Sequence, residues 1–185
     1  LRQIGYFTYN CHRLHAIHLD YLICYFRPEN KFPARVFGRI AKNIADPKGC
    51  SLDCFAYYHY RHDPMEERPF PPGWEIEETG QTDLHTLGYF YEERSGGLLT
   101  EALDLVPQKL EVSGLSEEYR RLGFRRERYV FSLKKNGLIR ALVIANQSNV
   151  GMNLSDLTSA INIIAIEPEA LTREVLNRTL HHVAE

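Results

Sequence analysis

The chain is 185 residues long, 44% hydrophobic and 11% aromatic, with a formal net charge of −2 at pH 7. That length and apolar content suffice for one large or two small packed cores. A charge so near zero excludes the long-range field that holds a polyanion, and no apolar run approaches the ~20 residues of a membrane span, so neither general nucleic-acid binding nor a membrane span is expected.

In chain order, His12, His15 and His18 lead into a strand near Asp20 to Phe26. A loop from Arg27 follows, and Pro33 suits the first helical position, where its missing N–H costs nothing. The helix is expected to run to about Ile44 or Ala45, where Asp46-Pro47-Lys48-Gly49 stops it. Ser51 to Tyr60 is rich in aromatics and reads as a strand, which would complete a β-α-β unit. Cys50-x-x-x-Cys54 has the spacing of a metal pair, but Cys24 and Cys54 fall in expected strands and read more simply as small buried hydrophobes. No metal is expected.

From Arg61 to about Gly80 the composition turns to proline, glycine and acid, so residues 63–81 read as a linker or surface loop between a first unit, 1–62, and a second, 82–185. Thr82 to Arg94 has a Leu84, Leu87, Phe90, Tyr91 stripe of helical spacing, with Thr82 or Asp83 as its cap. Ser95-Gly96-Gly97 ends it. Gly97 to Leu105 and Ser116 to Leu122 read as shorter helices. Arg128 to Lys134 and Leu138 to Asn146 are strands joined at Asn136-Gly137, a hairpin signal. A polar stretch, Gln147 to Ser159, precedes a strand at Ala160 to Ile166 and a final helix.

Two of these segments repeat one another. Leu22 to Ile44 and Ile161 to Val183, roughly 140 residues apart, each read as apolar strand, Pro-Glu loop (Pro28-Glu29, Pro168-Glu169) and helix. With one residue dropped from the second loop, Phe32, Val36, Phe37, Ala41 and Ile44 align with Leu171, Val175, Leu176, Leu180 and Val183, the spacing of a buried helical face. The period is too long for a solenoid and fits a duplicated α/β domain.

Helices, a meander of strands and a helix straight after the last strand resemble the core of a GNAT-type acyltransferase. The resemblance rests on Tyr119-Arg-Arg-Leu-Gly-Phe124, Arg128 to Asn146 with its Asn136-Gly137 turn, and Ile161 to Val183; the segment 19–60 resembles the C-terminal half of the same fold. The implied architecture is α/β, a GNAT-like mixed sheet flanked by helices, with a partial first unit and most of a second, similar to the tandem FemX type. The implied activity is acyl- or aminoacyl-transfer from an acyl-CoA or aminoacyl donor to an unidentified acceptor, in the cytosol. GNAT enzymes hold the CoA pyrophosphate on a Gly-rich loop at a helix N-terminus. Neither loop here has glycine, and Glu167-Pro-Glu-Ala170, with two glutamates and no cation, would repel a phosphate. The first loop, with Arg27, Asn30, Lys31 and Arg35, is the better cofactor-binding candidate.

Acyl transfer needs a base for the amine and an acid for the leaving group. Candidate catalytic groups are Tyr91, Glu92 and Glu93, with Tyr89 and Ser95 nearby, and candidate substrate-binding groups are Ser148, Asn153 and Ser155, with Asn146. Arg121-x-x-x-Arg125 followed by Asn153-x-Ser155 also resembles the cyclic-di-GMP signature of PilZ domains, although Thr158 stands where that signature has glycine. A third alternative is a GNAT-like scaffold without catalysis. The chain begins Leu1-Arg2 rather than with Met, from which an upstream domain in a longer protein is expected.

Overall fold

The computed structural model describes residues 10, 13, 25–43, 49–56, 58, 60, 69–95, 97–103, 105–107, 120–149 and 160–184. The chain divides into two compact units, Leu1–Leu52 and Asp53–Glu185. In the first, the described regular element is helix α1, Lys31–Asn43. It is entered through a turn at Pro28-Glu29, closed by the Asn30 N–H on the Arg27 carbonyl at 2.9 Å. The face expected to be buried is only partly so. Val36, Phe37 and Ala41 are half-buried and Phe37 stacks on Phe26 at 5.7 Å, but Phe32 is exposed. Ile44 and most of the strand expected at 20–26 lie outside the described residues. Among the described residues of 51–60 the expected strand is not seen: they are irregular and, apart from Ser51, exposed, Cys54 included, so Cys54 is not the buried hydrophobe that alternation implied.

The second unit is mixed α/β. Its sheet has the order β1-β2-β3-β4, with β1 at Trp74–Glu78, β2 at Arg126–Lys135, β3 at Leu138–Ser148 and β4 at Ala160–Ala165. All the described pairings are antiparallel rather than mixed. Helices α2, Gln81–Ser95, and α3, Leu98–Ala102, are inserted between β1 and β2; α4, Arg173–Ala184, follows β4 after a 3-10 turn at Pro168–Ala170. The expected helix at 116–122 lies mostly outside the described residues.

β1 falls inside the stretch expected to be linker. Its five residues carry three glutamates, too little apolar content to register as a strand. The partner strand supplies what is missing, since Glu75 lies opposite Lys134 and Trp74 opposite Lys135, whose ammonium stands 5.6 Å from the indole ring centre. Trp74 and Ile76 alternate onto the apolar face of the sheet, while the acidic residues suit an edge strand that must not pair with other chains. The β2–β3 connection is the two-residue turn anticipated from Asn-Gly: Asn136 (φ 52) and Gly137 (φ 74) both take the left-handed conformation that matches strand twist.

The core sits on both faces of β3, where Ala141, Leu142, Val143 and Ile144 are all buried. On one face Leu84, Leu87 and Tyr91 of α2 and Leu105 pack with Ile139, Leu142 and Ile144. On the other, Val175 of α4 packs with Trp74, Leu133, Ala141 and Val143, edged by Leu171 and Val183. Ile139 and Leu142 share a face despite their odd spacing because the register slips at Leu133/Lys134, leaving Arg140 as an extra, bulged residue. One inserted residue flips every side chain beyond it to the opposite face. Thr179 is fully buried in α4 and satisfies its hydroxyl on the Val175 carbonyl at 2.8 Å, so its methyl can face the core. Among the described residues no helix is long and apolar enough to cross a membrane.

Truncating Leu142, which has no exposed surface, should leave a cavity between the sheet and α2. Leu142→Ala is expected to cost about 2–5 kcal/mol in urea denaturation, whereas Leu138→Ala, at an exposed position on the hairpin, should stay within about 0.5 kcal/mol of the parent.

Candidate functional site

A half-open groove of about 340 Å³ lies beside α2, lined by Leu84, His85, Gly88, Tyr89 and Glu92 of the helix and by Leu105, Val106 and Pro107 opposite. His85, Tyr89 and Glu92 are spaced i, i+4, i+7, which stacks them along one side of a helix over about 10 Å. Gly88, between them, leaves the space its side chain would fill open. The far wall is held by two hydrogen bonds to backbone carbonyls: the Leu105 N–H donates to that of Thr100 at 2.8 Å, and the Arg128 guanidinium of β2 donates to that of Leu103 at 2.7 Å. The turn from α2 to α3 passes through Gly97 (φ 79), where a side chain would touch Glu92 Cγ at 3.0 Å.

α2 itself is locked to the sheet at its N-terminal end. Asp83 Oδ2 accepts from Ser132 Oγ of β2 at 2.8 Å, from the Gly80 N–H at 3.4 Å and from Lys134 Nζ at 3.1 Å. Since Ser132 has one proton and gives it to Asp83, the Thr79 hydroxyl, 3.0 Å away, donates to Ser132. Lys134 also pairs with Glu77. Glu77 and then Asp83 raise the Lys134 pKa above the ordinary lysine value, against a desolvation that lowers it. Asp83, Thr79 and Ser132 are all buried, so this is a satisfied polar network that sets where the helix, and the groove on it, begins.

Of the catalytic candidates, Glu92 lines the groove and Glu93 is exposed beside it. Tyr91 does not line the groove: its ring lies in the core against Phe90 at 5.4 Å, and burial, with Asp53 second, pushes its pKa up to about 12. Tyr89 is the tyrosine that reaches the groove, and a hydrogen bond with Glu93 raises its pKa. Ser148 is half-buried at the end of β3 opposite Arg126 and does not line the groove; Asn153 and Ser155 lie outside the described residues. Sequence reasoning missed His85 and the Leu105–Pro107 wall. The i, i+4, i+7 pattern was there to find for His85, but the wall depends on a tertiary fold-back.

Arg27, Asn30, Lys31 and Arg35 are gathered, exposed, at the start of α1, where the Asn30 carbonyl accepts from the Ala34 N–H at 3.1 Å. The corresponding region before α4 is different. The Ile166 and Glu167 N–H groups donate to the Arg140 carbonyl at 2.9 and 3.2 Å, those of Ala170 and Leu171 close the 3-10 turn, and the Val175 N–H is capped by Thr172 Oγ1 at 3.3 Å. Several of the N–H groups in this stretch are thus engaged within the protein. The loop is also not without a cation, as its sequence implied, because the bulged Arg140 reaches it from β3 and pairs with Glu167.

No protein-family model, curated protein or solved structure matches the chain.

Removing the Asp83 carboxylate takes away the acceptor of the buried Ser132 hydroxyl and leaves Lys134 with Glu77 alone. Asp83→Ala is therefore expected to cost about 1–3 kcal/mol by denaturation. The raised Lys134 pKa adds a pH dependence: its stabilisation is fully present below the ordinary lysine pKa and lost as pH rises through the raised folded value. Lys134→Met should flatten that alkaline decline in a melting-temperature profile.

Proposed function

We propose that the second unit is a GNAT-like domain that transfers an acyl or aminoacyl group to an acceptor amine lying in the groove of α2. The observation that supports this most is the element order: an antiparallel β1-β2-β3-β4 sheet with a helix pair inserted after the first strand on one face and a helix after the fourth on the other. In this reading Glu92 takes the proton from the amine as it attacks the donor carbonyl. Tyr89, kept protonated by its raised pKa, returns a proton to the departing group. Leu84, Leu105, Val106 and Pro107 supply the apolar walls. If the donor is an acyl-CoA, the loop before α4 is a poor place for its phosphates, because several of its N–H groups are already engaged.

A second reading, a GNAT-like scaffold that has lost its cofactor, is favoured by the internally engaged N–H groups of Ile166, Glu167, Ala170, Leu171 and Val175. Nothing among the described residues favours a cyclic-di-GMP site, and Arg125 is already paired with Glu127 at 2.6 Å.

The test is a panel of acyl-CoA and aminoacyl-tRNA donors with amine acceptors, read as thiol or tRNA release. Glu92→Gln should lower kcat/KM by about 10²- to 10⁴-fold with an unchanged melting temperature, while Tyr91→Phe retains turnover. Full activity in Glu92→Gln overturns the assignment, and the absence of turnover and of thermal stabilisation by every donor favours the inactive scaffold.

A further inference from the structure

We infer that the turn preceding β2 is a docking point for an anionic phospholipid surface. Between residues 120 and 128 the chain has five arginines against the single acid Glu127, and it stays basic when the adjacent Glu117 and Glu118 are counted; Arg125 pairs with Glu127 and Arg128 reaches back to the Leu103 carbonyl, so the exposed Arg120 and Arg121 carry the charge at the tip of the turn. Between the arginines sit two apolar side chains turned outward: Leu122 is 72% exposed and Phe124 43%. Tyr129, also exposed, stands a few residues along.

The turn is held open by its own backbone. Gly123 takes φ 82, and its N–H donates to the Arg120 carbonyl at 3.0 Å. Arg125 and Asn149 exchange two bonds, N–H to Oδ1 at 3.0 Å and N–H to carbonyl at 3.2 Å, which pins the base of the turn to the end of β3. No rearrangement is needed to present the apolar tip, so the ordering cost of binding is small.

The combination selects the partner. A polyanion in solution would use the arginines and leave Leu122 and Phe124 in water. A protein partner needs roughly 800 Å² from each side, far more than one convex turn offers. A bilayer interface uses both groups, taking an aliphatic and an aromatic side chain at headgroup depth while guanidiniums meet lipid phosphates. Because the whole chain has a net charge of −2, the attraction is local and orients the molecule with this turn toward the membrane. The inference is independent of the transfer reaction proposed above.

The test is co-sedimentation of the intact chain with vesicles of phosphatidylcholine alone or with one third phosphatidylglycerol. Association should be at least about tenfold stronger with the anionic vesicles and should fall with added salt. Both Leu122→Glu/Phe124→Glu and the milder Leu122→Ser/Phe124→Ser should reduce it by a similar factor, with the melting temperature of each unchanged because both side chains are exposed. Equal or absent binding to the two vesicle types overturns the inference. So does anionic binding that survives both double variants, since the turn would then act as a polyanion patch without its apolar tip.

Discussion

The second unit depends on one constraint: the middle of β3 is apolar on both faces. Ala141, Leu142, Val143 and Ile144 are consecutive and all buried, which an antiparallel strand with one wet face does not tolerate. Each face must therefore be covered, and the chain covers one with α2 and the other with α4. Neither helix is fully apolar, so each leaves an outer side in solvent. The groove lies alongside α2 and reaches down to the core residues Leu84 and Leu105, so its position is inherited from the helix that β3 requires.

Two polar devices refine that arrangement. Asp83 ties the start of α2 to Ser132 and Lys134 of β2, which fixes the helix against sliding along an otherwise featureless apolar surface. The bulge at Arg140 keeps Ile139 on the α2 face and at the same time turns a carbonyl and a guanidinium toward the loop before α4. That loop consequently spends several of its N–H groups on the protein itself. The two Pro-Glu loops differ in chemistry: exposed cations gather at the start of α1, while before α4 Glu167 is paired with Arg140 and part of the backbone is engaged internally.

Much of this was legible from local patterns. The Asn136-Gly137 turn sets the β2–β3 register, the Leu84, Leu87, Phe90, Tyr91 stripe anticipates α2, and the apolar run at 160–166 gives β4. What escaped notice depends on partners distant in sequence. β1 is stabilised by lysines more than fifty residues away, and the bulge is visible only once β2 and β3 are paired. The candidate site was half legible. Glu92 was named from its stretch of sequence; Tyr91 was named as well although it belongs to the apolar stripe of α2, which turns it inward and leaves Tyr89 to face the groove.

Native-state hydrogen exchange resolved to single amides tests the central role of β3 most directly. If both layers are organised by that strand, the slowest amides should lie at Leu142 to Ile144, in its buried middle, and should exchange with the free energy of global unfolding, while those of the five-residue edge strand β1 open more readily. Exchange of the β3 amides through an opening well below global unfolding, with α2 or α4 still protected, would contradict it.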